Sequence, residues 1–277
     1  MFFPKKPLDP VIIIVFLYTY NLLYNINTNL MNKKKITKLK FIKNVAKYSY
    51  ALANNTKINK LKFKLYAETD KYNWCYQHYW LGEPILQTPE DIVKMQDIIF
   101  NEKPDIIIEI GVAWGGMLLF YDTLAKSLPI KKIVGVDIFM PKDLKLRINQ
   151  KISNKVKLIK GSSLDKKIFD ELTKIRRKYK KCLIHLDSDH IEEHVLKELT
   201  LYDKMLNKND IIVVGDTILN YIPENKYRPR KWSKKNNPKT ALDIFLKNNN
   251  KYRLQKQWSN NLLLSNNIKS HIKKIKK

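Results

Sequence analysis

Residues 104–116 read PDIIIEIGVAWGG. Pro104 and Asp105 punctuate the start, three isoleucines follow, and Glu109 interrupts the apolar run just before glycines at 111, 115 and 116. A short β-branched run bounded by proline and glycine predicts a buried strand, and the glycines predict a tight turn into a helix. A carboxylate at the end of such a strand is costly unless something pairs with it. The spacing is E-x-G-x-x-x-G-G, not the G-x-G-x-x-G that seats a dinucleotide pyrophosphate on a helix N-terminus. An acid beside a glycine turn suits a cationic ligand, and its alternative role is as a structural cap.

Working outward, strands and helices alternate. The expected strands are Asp105 to Ile110, Lys132 to Asp137 (KIVGVD), Val156 to Lys160 (VKLIK), Cys182 to Asp187 (CLIHLD) and Ile211 to Asp216 (IIVVGD). Helices are expected over Gly115 to Ser127, Asp165 to Lys178 and Glu192 to Asn207. Near-continuous apolar strands with intervening helices predict an α/β fold: a doubly wound, mostly parallel, Rossmann-like sheet with helices on both faces. Thr88 before Pro89, Glu90 and Asp91 marks a capped helix start ahead of the first strand, and Asn237 before Pro238 marks another.

Ligands of such sheets lie beyond the carboxyl ends of the strands, and here those ends are consistently polar. They carry Glu109 with Gly111, Asp137, then Gly161 with Ser162 and Ser163, then Asp187 with Asp189 and His190, and Asp216 with Thr217. Five polar ends predict one pocket rim. His185 falls inside a strand and is expected to be buried; His194, one helical turn past His190, is expected to support the site from behind. The stretch LNYIPENKYRPRKWSKKNN (219–237) follows the last of these strands and reads as a lid or ligand-contact loop, or as a plain surface loop.

The chain has 277 residues, 44% of them hydrophobic, enough for a substantial core. Two cysteines, Cys75 and Cys182, exclude a disulfide framework and point to packing roles in a reducing, cytoplasmic setting. A formal charge of +27 invites nucleic acid as a partner, but the excess is mostly Lys near the two ends, while the middle is nearly balanced. The expected organisation is a basic extension over 1–70, the α/β domain over 71–265 and a basic tail over 266–277. Ile36 to Tyr66 predicts one or two basic amphipathic helices. The apolar segment 11–24 (VIIIVFLYTYNLLY) is shorter than the roughly 20 residues a spanning helix needs. Peripheral membrane attachment through it, self-association into a homo-oligomer and a true start at Met31 are all compatible with the sequence.

The glycine turn resembles that of class I methyltransferases. WLGEPILQTPEDIVKMQDIIF, PDIIIEIGVAWGGMLLFYDTL, GSSLD, HLDSDHIEEHVLKELTLY, IIVVGDTI and NNPKTALDIFL, in that order between about Trp80 and Ser265, are together similar to the family named for cephalosporin hydroxylase and to rhamnosyl and macrolide-sugar O-methyltransferases. This resemblance implies S-adenosylmethionine as cofactor, bound through Glu109, Gly111, Gly115, Gly116, Asp137, Ser162 and Ser163, with Asp137 accepting the ribose hydroxyls. It also implies methyl transfer to a hydroxyl of a sugar, glycan or glycosylated metabolite. No two-His-one-carboxylate iron site suits the hydroxylase label.

A sugar hydroxyl is a poor nucleophile at neutral pH, and the resemblance implies Mg²⁺ held by Asp187 and by an acidic pair ending the fifth strand, with His190 as base. The second position of that pair is Asp216, but the first is Gly215. With one carboxylate fewer, the ion is expected to bind weakly, to recruit Asp189, or to be dispensable, and Gly215→Glu is expected to tighten it. The competing classes are a nucleic-acid-binding module or RNA methyltransferase, and a membrane-tethered non-catalytic protein; no aromatic RNA-binding strand motif supports the former.

Overall fold

The structure, a computed structural model, describes residues 36–224 and 230–276. Two compact units divide the chain at Tyr48/Ser49. Helix α1 (Lys38–Ala53) buries none of its side chains. The apolar segment 11–24 lies outside the described residues, among which no helix is long and apolar enough to cross a membrane.

The second unit opens earlier than the boundary near residue 71 read from the sequence. Helix α2 (Thr56–Asp70), capped by Asn55 accepting from Ile58 N, belongs to it. Tyr66 of α2 is buried and donates its hydroxyl to Asn266 Oδ1 at 2.5 Å, which ties α2 into the fold. A two-stranded hairpin, β1 (Tyr79–Trp80) and β2 (Glu83–Pro84), precedes helix α3 (Pro89–Glu102). That helix starts as the sequence predicts: Thr88 caps it, Pro89 is first, and Glu90 and Asp91 occupy the first turn.

The alternation then runs β3 (Ile106–Ile110), α4 (Gly116–Leu124), β4 (Lys132–Asp137), α5 (Lys142–Asn149), β5 (Val156–Lys160), α6 (Lys166–Arg176), β6 (Cys182–Leu186), α7 (Glu192–Asp203) and β7 (Ile211–Val214). Helix α8 (Pro238–Asn248) follows, begun by a reciprocal Asn237–Thr240 capping box, and then β8 (Tyr252–Leu254) and β9 (His271–Lys274). The sheet order is β5-β4-β3-β6-β7-β9-β8, parallel from β5 through β7 and antiparallel at β9 and β8. The direction of winding therefore reverses between β3 and β6, which opens a crevice at their carboxyl ends.

Alternation along β3 sends its side chains to two cores. Ile106, Ile108 and Ile110 join Leu172, Leu199 and Leu242 of α6, α7 and α8; Ile107 joins Ile98, Leu118 and Leu144 of α3, α4 and α5. Helices thus cover both faces, and the doubly wound reading holds.

Residues 266–277 are not a tail. Strand β9 lies between β7 and β8, and His271, Ile272 and Lys274 are buried. The buried Lys274 ammonium is satisfied by Asp203 Oδ1 (2.6 Å), Asp203 O (2.9 Å) and Leu206 O (3.0 Å). Lys273 pairs with Glu102 at 2.8 Å. Part of the basic C-terminus is therefore internal structure, which removes it from any nucleic-acid-binding arm. Deleting 266–277 strips a strand from inside the sheet, so the truncated chain is expected to lose its cooperative thermal transition and near-ultraviolet circular dichroism.

Candidate active site

The crevice holds a cavity of about 490 Å³ whose floor includes Glu109, Gly111, Asp187, His190 and Asp216. The register explains the first of these. Glu109 and His185 are in-register neighbours on β3 and β6, on the face covered by Tyr121 of α4. Glu109 is 1% exposed, its Oε1 lies 3.7 Å from His185 Nδ1, and Tyr121 Oη lies 3.3 Å from the same nitrogen. Glu109 Oε2 has no hydrogen-bond partner among the described residues. Burial raises the Glu109 carboxyl above its usual range, with His185 opposing. Burial would lower His185, but the neighbouring Glu109 carboxylate raises it overall. The pair keeps one carboxylate oxygen available at the cavity floor.

Gly111, at φ +98°, follows β3 and packs on the backbone that follows β6: a Cβ there would stand 2.1 Å from Asp187 O. No other residue type fits that junction.

Asp187, His190 and Asp216 form a cluster in which one ligand atom from each lies within 4.8 Å of the others. Asp187 Oδ2 accepts from Gln87 Nε2 at 2.8 Å. Its carboxyl is pushed up to about 7, first by burial and further by the Asp216 carboxylate, with His185 working against both. His190 Nε2 lies 3.2 Å from Asp216 Oδ2, and the ring meets Trp232 edge-on at 4.8 Å. His190 Nδ1 is buried and has no hydrogen-bond partner among the described residues. Trp232 comes from the loop after β7, which also brings Leu219, Ile222 and Arg230 to the cavity wall. Arg230 stacks over Trp232 at 5.2 Å.

The remaining residues named from sequence sit beside the cavity without lining it. Asp137 Oδ2 accepts from Val112 N (2.8 Å) and Ala113 N (3.0 Å), and its Oδ1 from Phe139 N (2.8 Å). This carboxylate holds the glycine turn in shape, a duty that spacing alone did not reveal. Gly115 caps α4 in the left-handed region, and a Cβ on Gly116 would meet Pro84 O at 2.4 Å, so that glycine lets β2 pack on α4. Ser162 Oγ accepts from Leu164 N; Ser163 is buried, with its Oγ 3.2 Å from His194 Nε2 and its carbonyl accepting from Tyr202 Oη. His194 is braced in turn by the fully buried Glu198 at 3.1 Å, whose hydrogen bond raises the imidazole. Asp189, expected as a substitute ligand, instead accepts from Ile191 N at 3.0 Å and is outside the cluster.

Gly215 also departs from expectation. A Cβ there would fall 2.4 Å from Asp187 Oδ1 and 2.8 Å from its Cγ. Asp187 fills the space that a side chain at 215 would need. Sequence reading missed Gln87, just ahead of the Thr88 cap, and Asn266 and Asn267, assigned to a tail; the adjacent amides at 266 and 267 were the one available signal.

A model of the Rhamnosyl O-methyltransferase/CmcI family matches residues 72–275, and the chain belongs to that family. It is 29% identical over 173 residues to a rhamnosyl O-methyltransferase of Mycobacterium leprae, covering 57% of this chain and 73% of that one. A rhamnosyl O-methyltransferase of Mycobacterium bovis is 26% identical over 147 residues, covering 52% of this chain and 58% of the relative's length. Among solved structures, an apo form of CmcI aligns with TM-score 0.52 and 16% identity over 73% of this chain and 78% of that one. CmcI with Mg and SAM aligns with TM-score 0.50 and 17% identity, over 72% and 77%. These likenesses establish the methyltransferase fold.

The geometry at Gly215 yields a test. Gly215→Ala is expected to displace Asp187 and cost about 1–3 kcal/mol, the usual range for overpacking. Gly215→Glu is expected to destabilise further rather than improve the site. Thermal denaturation of both variants checks this, and unchanged melting would show that the junction has room.

Proposed function

We propose that the protein is an S-adenosylmethionine-dependent O-methyltransferase acting on a hydroxyl of a sugar, glycan or glycosylated metabolite, with a divalent cation such as Mg²⁺ at Asp187 and Asp216. The observation that carries this is one cavity floor offering two separate chemistries: an unpartnered, buried Glu109 oxygen on β3, and the Asp187–His190–Asp216 cluster on β6 and β7. Family membership and rhamnosyl O-methyltransferase relatives support the reaction and the acceptor class.

The residues fit both groups. Glu109 Oε2 needs a donor, and the cofactor's ammonium is one; Gly111 lines the cavity beside it. Asp137 fixes the turn from Val112 to Ala113 against which the cofactor would rest, and its Oδ1 keeps acceptor capacity beyond Phe139 N. Asp187 and Asp216 supply hard oxygen ligands of the kind Mg²⁺ prefers, and the cation would supply positive charge that eases proton loss from the acceptor hydroxyl.

His190 is the base. When its Nε2–H donates to Asp216, the imidazole keeps a lone pair on Nδ1, which has no partner among the described residues and can take the acceptor's proton. Trp232 closes over the ring and limits its rotation. The apolar wall from Ile218, Leu219 and Ile222 keeps water away from the transferring methyl group. Trp232 and Tyr76 offer flat surfaces on which a sugar ring packs.

Titration calorimetry should show S-adenosylmethionine binding that falls about 10- to 100-fold in Glu109→Gln, the loss of one charged hydrogen bond. His190→Ala should lower methyl transfer to a rhamnosylated acceptor by about 10²- to 10⁴-fold while leaving cofactor affinity unchanged. A protein that binds no S-adenosylmethionine would overturn the reading, and full turnover in excess chelator would remove the cation from it.

A further inference from the structure

Beneath the cluster, four groups form a hydrogen-bonded chain that the reaction itself does not use. Asp216 N donates to Asn267 Oδ1 at 3.2 Å, Asn267 Nδ2 donates to Gln87 Oε1 at 3.3 Å, and Gln87 Nε2 donates to Asp187 Oδ2 at 2.8 Å. A backbone N–H can only donate, so the amide of Asn267 must point its oxygen at Asp216; each later amide orientation follows. The chain therefore has one direction, and it ends with an N–H aimed at the Asp187 carboxylate. Gln87 and Asn267 are 2% and 3% exposed, so water does not compete for these bonds.

The Asn267 end of the chain is held from behind. Asp91 on α3 accepts from Ser265 Oγ and, at 2.7 Å, from Asn266 N, while Asn267 N donates to Ser265 Oγ at 2.9 Å. Glu90 accepts from Leu263 N at 2.6 Å and Leu264 N at 3.2 Å. The first turn of α3 and the segment before β9 are thereby locked together under the ends of β6 and β7.

We infer that Gln87 and Asn267 are positioning residues that set the spacing between Asp187 and Asp216, and so the cation affinity of a site that has no carboxylate at 215. Asp216 has a left-handed backbone, φ +52°, which a non-glycine residue keeps only when its surroundings hold it. Asp187 occupies the space above Gly215, and its Oδ2 is turned towards Gln87. The Gln87–Asn267 link spans these two residues and anchors one through its side chain and the other through its backbone. In a site with only two carboxylates, loss of either one's orientation removes half of the anionic ligand set, so the supporting amides matter more than they would in a three-acid site.

This inference rests on the cation reading above, and the experiment separates the two. Mn²⁺ binding to the purified full chain is measured by electron paramagnetic resonance without acceptor, for wild type, Gln87→Met, Asn267→Ala and the double variant, with S-adenosylmethionine affinity and melting temperature measured alongside. Wild type is expected to bind Mn²⁺; each single variant should weaken it about 10- to 100-fold, the usual cost of losing an outer-shell partner, with cofactor affinity unchanged. Because the amides act through one chain, the double variant should bind no more weakly than the worse single variant. Should Gln87→Met not fold, Asn267→Ala carries the same expectation. Wild-type binding with equal affinity in the folded variants overturns the positioning role alone, and additive losses in the double variant overturn the shared chain. No Mn²⁺ binding by wild type overturns the cation reading and this inference together.

Discussion

The contact on which the site depends is the approach of Gly111 to the backbone of Asp187, where β3 and β6 end side by side. A single added carbon at Gly111 would stand 2.1 Å from Asp187 O. This closeness places Glu109 and Asp187, two carboxyl groups with different tasks, on one cavity floor. It is a consequence of sheet order: winding reverses at this pair, so no crossover helix covers their carboxyl ends. Glu109 is backed by His185 from the neighbouring strand and Asp187 by Gln87 from the turn before α3. Each acid has its own support, which allows one to face a cation-bearing cofactor and the other a cluster with His190 and Asp216.

Much of this was legible in the sequence because buried parallel strands leave a simple trace. IIIEI, KIVGVD and IIVV are continuous apolar runs, and a polar residue at the end of such a run stands out. The runs, with CLIHL, put Glu109, Asp187 and Asp216 at or just beyond strand ends and His190 three residues further on; the sheet order then brings those ends to one floor. Asp137 was visible as an acid ending a strand, but its hold on Val112 and Ala113 was not, since hydrogen bonds to backbone N–H groups 24 and 25 residues away leave no mark on residue type.

What stayed hidden depended on long-range pairing. HIKKIKK reads as a basic tail because four of its seven residues are lysines, yet Lys274 is buried against Asp203, 71 residues earlier. A buried lysine with three oxygen partners is stable, but sequence pattern cannot supply partners that far away. Gly215 shows the same limit: the missing acid was evident, whereas the occupation of its space by Asp187 is a matter of packing. Gln87, Asn266 and Asn267 were overlooked because amides in loops usually serve turns and caps. Here they link two loops that are 180 residues apart in the chain.

The central claim is that one cavity floor carries two distinct binding functions, with Glu109 on the cofactor side and Asp187 with Asp216 on the cation side. A crystal structure with S-adenosylhomocysteine and Mn²⁺, using anomalous scattering at the manganese edge, tests it most directly. The account predicts a manganese peak within coordinating distance of both Asp187 and Asp216, and the product's ammonium group against Glu109. A manganese site elsewhere, or a cofactor seated away from Glu109 and Gly111, would contradict it.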